Sequence, residues 1–247
     1  VTTYYLPHIA VINSSKVVTD VEVQDYCTAI ARQVNYHFRP SWGAGASVTF
    51  YPDGITDAFL AQKHVWPCYI ADTIDISGAL GYHDDESGKP IMRVDAQLTQ
   101  EDGGLVSITM SHEILETLGD AQCVNCAQVG NTMFHAYEAC DACEADEFGY
   151  PIKLANGNVV IVSDFVTPAW FSGDPYPYDY MSHISKPHQL LSGGYIGAWT
   201  PSRGWYQLIQ SDKAPTSHRI AERARMAGQE NWQDIERVVA DSEDAPE

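Results

Sequence analysis

The sequence predicts an α+β fold: a twisted mixed β-sheet backed by helices, with a helix carrying an H-E-x-x-E motif and then a cysteine-rich, irregular region. Three observations predict it. Short β-branched runs alternate with one strongly periodic helical segment in the first half of the chain. The motif helix follows directly, and two C-x-x-C pairs come next, where apolar periodicity is weak. The chain accordingly divides into residues 1–120 (sheet, backing helix and motif helix), 121–216 (the cysteine-rich part) and 217–247 (a helical extension with an acidic tail). At 247 residues it can bury a sizeable core.

Leu6 to Asn13 is an apolar, β-branched run ending in the turn-prone Asn13-Ser14-Ser15, and reads as a buried strand. Thr19-x-x-Glu22 is a capping box, after which Val23, Cys27, Ile30, Val34 and Phe38 recur at helical spacing. Pro40 and the Trp42-Gly43 corner end that helix. Ser47 to Tyr51 alternates as a strand does, Val65 to Ile70 suggests an edge or irregular strand because of Pro67, and Ile91 to Leu98 a further strand. Val159 to Phe171 is strand-like and then aromatic, while Gly193 to Trp205 reads as irregular or short β. Ser217 to Ala240 turns helical, with Trp232, Ile235 and Val239 on one face.

The motif helix runs from Leu105 to Asp120, with Asp102, Gly103 and Gly104 as its start and Gly119 as its stop. Residues four apart stack on one helical face, so His112 and Glu116 can converge on one ion while Glu113 points about a quarter-turn away. Ile108, Leu115 and Leu118 would press the opposite face into a core. The bland alternative is an exposed His–Glu pair contributing only a few tenths of a kcal/mol. A metal site needs a further ligand from beyond the helix. Glu138 is the leading candidate, Asp141 could ligate instead or orient a ligand, and Asp120 and His135 are weaker candidates. For Glu138 and Asp141 the competing reading is solvated charge on a loop.

Cys123-x-x-Cys126 and Cys140-x-x-Cys143 approach zinc-ribbon spacing, so four thiolates could close a structural zinc site; in an oxidising compartment the same four allow disulfides instead. Cys27 and Cys68 read as small buried hydrophobes. Tyr178 to His183 invites comparison with a Met-turn beneath a metal, through Met181, although a buried Met more often fills a gap.

Fourteen basic against 33 acidic residues give a formal charge of −19. Such a surface repels phosphate backbones and argues against nucleic acid as a partner. No apolar run approaches the ~20 residues of a membrane span. A signal peptide is expected to be absent or already removed, and the balance favours a soluble, cytoplasmic protein over a secreted one.

The blocks Ala79-Leu80-Gly81-Tyr82-His83, Ser111-His112-Glu113-Ile114-Leu115-Glu116, Tyr137 to Glu144 and Val162 to Phe171 resemble, in order, a largely uncharacterised group of bacterial and phage proteins over roughly Ile9 to Gly204. More distantly, H-E-x-x-E followed by E-x-x-D-x-C is similar to the exordium (phosphate-induced) proteins. Both groups look like zincin metallopeptidases. The resemblance implies metal ligation by His112, Glu116 and Glu138 and a general-base role for Glu113. Here the block reads Glu138-Ala139-Cys140-Asp141, which leaves Glu138 or Asp141 as the third ligand.

The implied activity is a metal-dependent peptidase or amide hydrolase acting on a peptide or protein, with His83 or Tyr180 as candidate oxyanion donors. Two ligand carboxylates would nearly cancel the charge of a zinc dication and leave water less acidic than at sites richer in histidine, so weak hydrolysis, or none, is expected. Oxygen-rich ligation also admits manganese or calcium. The competing expectation is a non-catalytic, zincin-like structural or binding protein, such as a phage virion component with protein assembly partners.

Overall fold

The computed structural model describes residues 6–51 and 55–210, together with the backbone of a strand at 235–237. The fold is mixed α+β with twisted sheets. Strand β1 (His8–Asn13) sits in the interior of a five-stranded sheet, between β2 (Ser47–Tyr51) and β3 (Val65–Ala71), both parallel to it. Beyond β3 come β5 (Pro90–Asp95), parallel, and β4 (Gly81–Asp85), antiparallel at the edge, giving the order β2-β1-β3-β5-β4. Ile9 to Asn13 are all buried, as an interior parallel strand covered on both faces requires.

Helix α1 (Asp20–Arg32) begins at the capping box. Thr19 accepts from the Glu22 N–H at 3.3 Å, and Glu22 accepts from the Thr19 N–H at 2.8 Å. Val23, Cys27, Ile30, Val34 and Phe38 all join the main core, as their spacing demands. Pro40 does not end the helix. The chain widens into a π-helical segment, Gln33–Phe38, and continues as α2 (Arg39–Trp42). Hydrogen bonding has already shifted to i→i−5 there, with Arg39 N–H on the Val34 carbonyl, so Pro40 enters a ladder already rearranged before its missing N–H. Gly43 stops it, in the left-handed region at φ 71°.

A one-turn helix, α3 (Asp57–Leu60), precedes β3. The expected strand Ile91 to Leu98 is half strand and half helix: Asp95 closes β5 and caps α4 (Ala96–Glu101) by accepting from the Leu98 N–H at 2.8 Å.

The motif helix is α5 (Val106–Gly119). No side chain caps it from Asp102; instead Asp146 accepts from the Leu105 N–H at 2.8 Å. It has no exposed face, since Val106 to Leu118 are all buried. The sheet packs on one side through β4 and β5, and a hairpin, β8 (Tyr150–Lys153) with β9 (Val159–Val162), on another. Ser107 donates to the Ile161 carbonyl and Ser111 accepts from the Ser163 N–H, both at 2.7 Å, which pins helix to hairpin.

Residues after the helix are more regular than their sequence suggested. A second sheet takes the order β12-β11-β10-β7-β6, from β6 (Cys126–Val129), β7 (Met133–Ala136), β10 (Tyr195–Thr200), β11 (Gly204–Ile209) and β12 (Ile235–Arg237). A short helix, α6 (Pro168–Ser172), lies between the hairpin and β10 in sequence. The main core runs from Ile9 to Phe165, and a second apolar cluster gathers Cys143, Val166, Trp170, Phe171 and Ile196. Of the helix expected over Ser217 to Ala240, the described part is strand: β12 pairs in parallel with β11, Gln207 opposite Ile235. Its other residues lie outside the described ones. No helix among the described residues is long and apolar enough to cross a membrane.

Candidate metal centre

His112, Glu113 and Glu116 lie in the buried middle of α5. Two other elements reach them. Edge strand β4 brings His83, and Gly81 makes its approach possible: a Cβ there would stand 2.8 Å from Glu113 Oε1 and 2.9 Å from Thr109 Cγ2. Because strand residues two apart share a face, the bare position at 81 delivers the imidazole at 83 to the same helix. The turn after β7 brings Glu138, Cys140 and Asp141, held where the Cys140 N–H donates to Glu116 Oε1 at 3.0 Å.

The result is a knot of two imidazoles and four carboxylates, none more than 4% exposed. His112 Nε2 lies 3.0 Å from Glu116 Oε2 and 3.2 Å from Asp141 Oδ1, yet neither ring nitrogen of His112 meets the geometry of a hydrogen bond. His83 Nδ1 is 3.4 Å from Glu113 Oε2 and 3.7 Å from Glu116 Oε2, and its Nε2 is 3.5 Å from Glu138 Oε2. Donor atoms this close but not aimed at each other are what a shared cation gathers: at bonds of about 2.1 Å, tetrahedral ligands stand roughly 3.4 Å apart. His112, Glu116 and Cys140 offer donor atoms within 4.8 Å of one another, as do His83, Glu116 and Glu138.

The electrostatics are those of a site built for positive charge. Burial alone would raise the Glu116 carboxyl, but the His112 and His83 imidazoles and the Cys140 N–H hold it down at about 2. Burial, then the charges of Glu116, Glu138 and Glu144, push Asp141 well above the usual carboxylate range. Burial works against charge on His83 as well, yet Glu138 and hydrogen bonds to Cys123 and Glu113 raise it well above an ordinary histidine. Without a cation, protons must supply the missing positive charge.

Comparison with known proteins returns no match to a family model, to a curated protein or to a solved structure. The chemistry of this centre is therefore read from its side chains alone.

Of the expected site residues, the fold brings together His112, Glu113, Glu116, Glu138 and Asp141, and His83 with them. It does not bring the four cysteines together among the described residues. Cys140 turns toward His112 and Glu116, Cys143 enters the second apolar cluster, Cys123 is buried at His83, and Cys126 is exposed on an edge strand. No disulfide joins them. Asp120 instead ties its own loop, accepting from the Asn125 N–H and side chain at 2.7 Å each. His135 packs against His188 and Trp170, and burial and His188 lower it to about 4. Tyr180 stacks on His37 and Phe165, so it is not beside the cluster, whereas Tyr195 is, near enough to Asp141 for its hydroxyl to favour the ionised carboxylate. Sequence reasoning missed Tyr195, and Cys140 as a neighbour of the helix; the Glu138-x-Cys140-Asp141 spacing in one tight turn was the available signal.

Met181 does not underlie the centre; it is 39% exposed. Its N–H helps fix a separate acid pair, Asp164 and Asp179, both fully buried, with His183 beside them. Asp179 accepts from the His183 and Ile184 N–H groups, and Asp164 from Phe165 and Met181. Burial, the Asp179 charge and a hydrogen bond to Asp179 push the Asp164 carboxyl up to about 8.

The folded chain thus keeps a proton that the unfolded one, with an ordinary value of 3.8, releases. Stability from this group is present below that value and is lost as pH rises through about 8. Asp164→Asn keeps an acceptor for both N–H groups and a donor for Asp179. It is expected to flatten the decline and stabilise by about 1–3 kcal/mol near the alkaline end, read as thermal melts across the pH range.

Proposed function

We propose that the chain is a metal-dependent amide hydrolase of zincin-like design, acting on a peptide or protein. The observation that carries this reading is the convergence of His112 and Glu116, 3.0 Å apart on one helix, with acids from a second segment closing around them. His112, Glu116 and one or more of Glu138, Cys140 and Asp141 would hold the cation. The donor set fits one: imidazole, carboxylate and thiol suit zinc, and the carboxylate-rich side suits manganese. When bound, such a dication supplies Lewis-acid polarisation of the scissile carbonyl and of a nearby water.

Glu113 is one residue from a ligand on the same helix, and its Oε2 is 3.4 Å from His83 Nδ1. It takes a proton from the water and returns it to the leaving amine, while His83 fixes the carboxylate's direction. Two or more carboxylates at the cation weaken the acidification of water, so turnover is slow.

A second reading has its own support. All the cluster side chains are buried, so a substrate carbonyl reaches them only if residues around them move; a cation that merely ties α5 to the 138–143 turn needs no such access. Glu113→Gln separates the two. For a hydrolase it lowers cleavage of a peptide library about 10²–10⁴-fold with metal content unchanged. For a structural centre neither quantity moves.

A further inference from the structure

Glu116 belongs to two ligand sets at once. One is His112, Glu116 and Cys140; the other is His83, Glu116 and Glu138. The two imidazoles approach the same oxygen, Glu116 Oε2, at 3.0 and 3.7 Å from different elements, α5 and β4. Two polar side chains within the knot lack hydrogen bonds at atoms aimed into it: Nε2 of His112, which is fully buried and faces Glu116 and Asp141, and Nε2 of His83, which is 1% exposed and faces Glu138.

Charge points the same way. Glu113, Glu116, Glu138 and Asp141 bring up to four negative charges into the interior, and the ion pairs seen inside the cluster are with histidines. One dication offsets two of those charges and a second the other two, with both imidazoles uncharged and free to ligate; a Cys140 thiolate would be matched by one proton kept on the acids. Burial makes an unbalanced residue of charge costly.

We infer that the centre holds two divalent cations bridged by the Glu116 carboxylate, the first on the His112 and Cys140 side and the second on His83 and Glu138. This rests on the reading that the cluster is a metal centre at all. The two halves differ in chemistry: the first offers a thiol and favours zinc, and the second offers only nitrogen and oxygen and accepts a harder ion such as manganese. A carboxylate bridge would place two manganese ions close enough for their unpaired electrons to couple, at the separation of hydrolases that use two metals.

Manganese is the probe, because the carboxylate and imidazole donors of both halves accept it, while thiolates elsewhere in the chain compete for it weakly. The full chain, stripped of metal, is equilibrated with Mn²⁺, and bound metal and electron paramagnetic resonance are measured together. The expected result is two ions per chain with an exchange-coupled signal. His83→Ala is expected to bind one, with an uncoupled single-ion signal, and Glu138→Gln to do the same should the alanine variant fail to fold by circular dichroism. One ion in the parent chain, abolished by Glu116→Ala, overturns the two-cation centre while leaving the single-cation reading standing. Two ions that persist in both His83→Ala and Glu138→Gln also overturn it, and Asp164→Asn then shows whether the acid pair holds the second. No bound ion overturns both readings.

Discussion

Glu116→Ala is expected to cost about 3–5 kcal/mol of stability and to abolish cation binding, the largest effect of any single substitution in the centre. Glu116 is the point where three elements meet. Its Oε1 accepts the Cys140 N–H at 3.0 Å, and its Oε2 lies 3.0 Å from His112 and 3.7 Å from His83. Truncation removes the group that holds the 138–143 turn against α5 and leaves a buried N–H without its acceptor. It also strips the buried His112 and His83 of the carboxylate they share. Glu116→Gln retains the acceptor for Cys140 and is expected to restore part of the stability but not the cation. Denaturant unfolding of the two variants, with metal content measured beside it, checks both halves.

Loading the metal-free chain with a divalent cation is expected to stabilise it by about 2.7 kcal/mol at a hundredfold excess over the dissociation constant. For a chain of this size that corresponds to a rise in Tm of roughly 5–11 °C. The same binding releases protons. Asp141 and His83 both hold protons more tightly than usual in the metal-free fold, and a cation takes the place of that positive charge.

The sign of the pH dependence follows. A raised His83 contributes stability that is complete below 6.5 and is lost as pH rises through its folded value, and a raised Asp141 loses its contribution as pH climbs above 3.8. Glu116, held down at about 2, acts the other way and its contribution is complete above 4.5, so from there upward the metal-free chain should weaken with rising pH and the loaded chain much less. Melts across pH with and without cation, and calorimetry in buffers of different ionisation enthalpy, measure the two effects.

What could be read from the sequence was what local periodicity encodes. The β1 run, the capping box at Thr19 with its five apolar positions, and the helix that carries His112 and Glu116 all follow from spacing within one element. Glu138 and Asp141 were legible as acids at a suitable distance along the chain, because a tight turn keeps them together.

What escaped depends on contacts between distant segments. Nothing local says that Gly81 lets an edge strand approach Glu113 and so carries His83 into the knot. Nor does spacing show that Cys140 parts from the other cysteines, because the Cys140 N–H binds Glu116 while Cys143 packs with Trp170 and Ile196. The motif helix looked amphipathic through Ile108, Leu115 and Leu118, but a hairpin whose contacts lie 52 and 54 residues downstream covers its other face, with Ser107 and Ser111 as the seam. Met181 illustrates the reverse error, a short aromatic stretch whose resemblance to a metal-underlying turn had no packing to support it.

The central claim is that the buried knot around Glu116 holds a divalent cation, and metal analysis of the full chain after exhaustive dialysis tests it most directly. The parent chain is expected to retain at least one divalent ion per molecule and Glu116→Ala none. A parent chain that retains none and takes up none on reconstitution, or a Glu116→Ala variant that keeps as much as the parent, would contradict it.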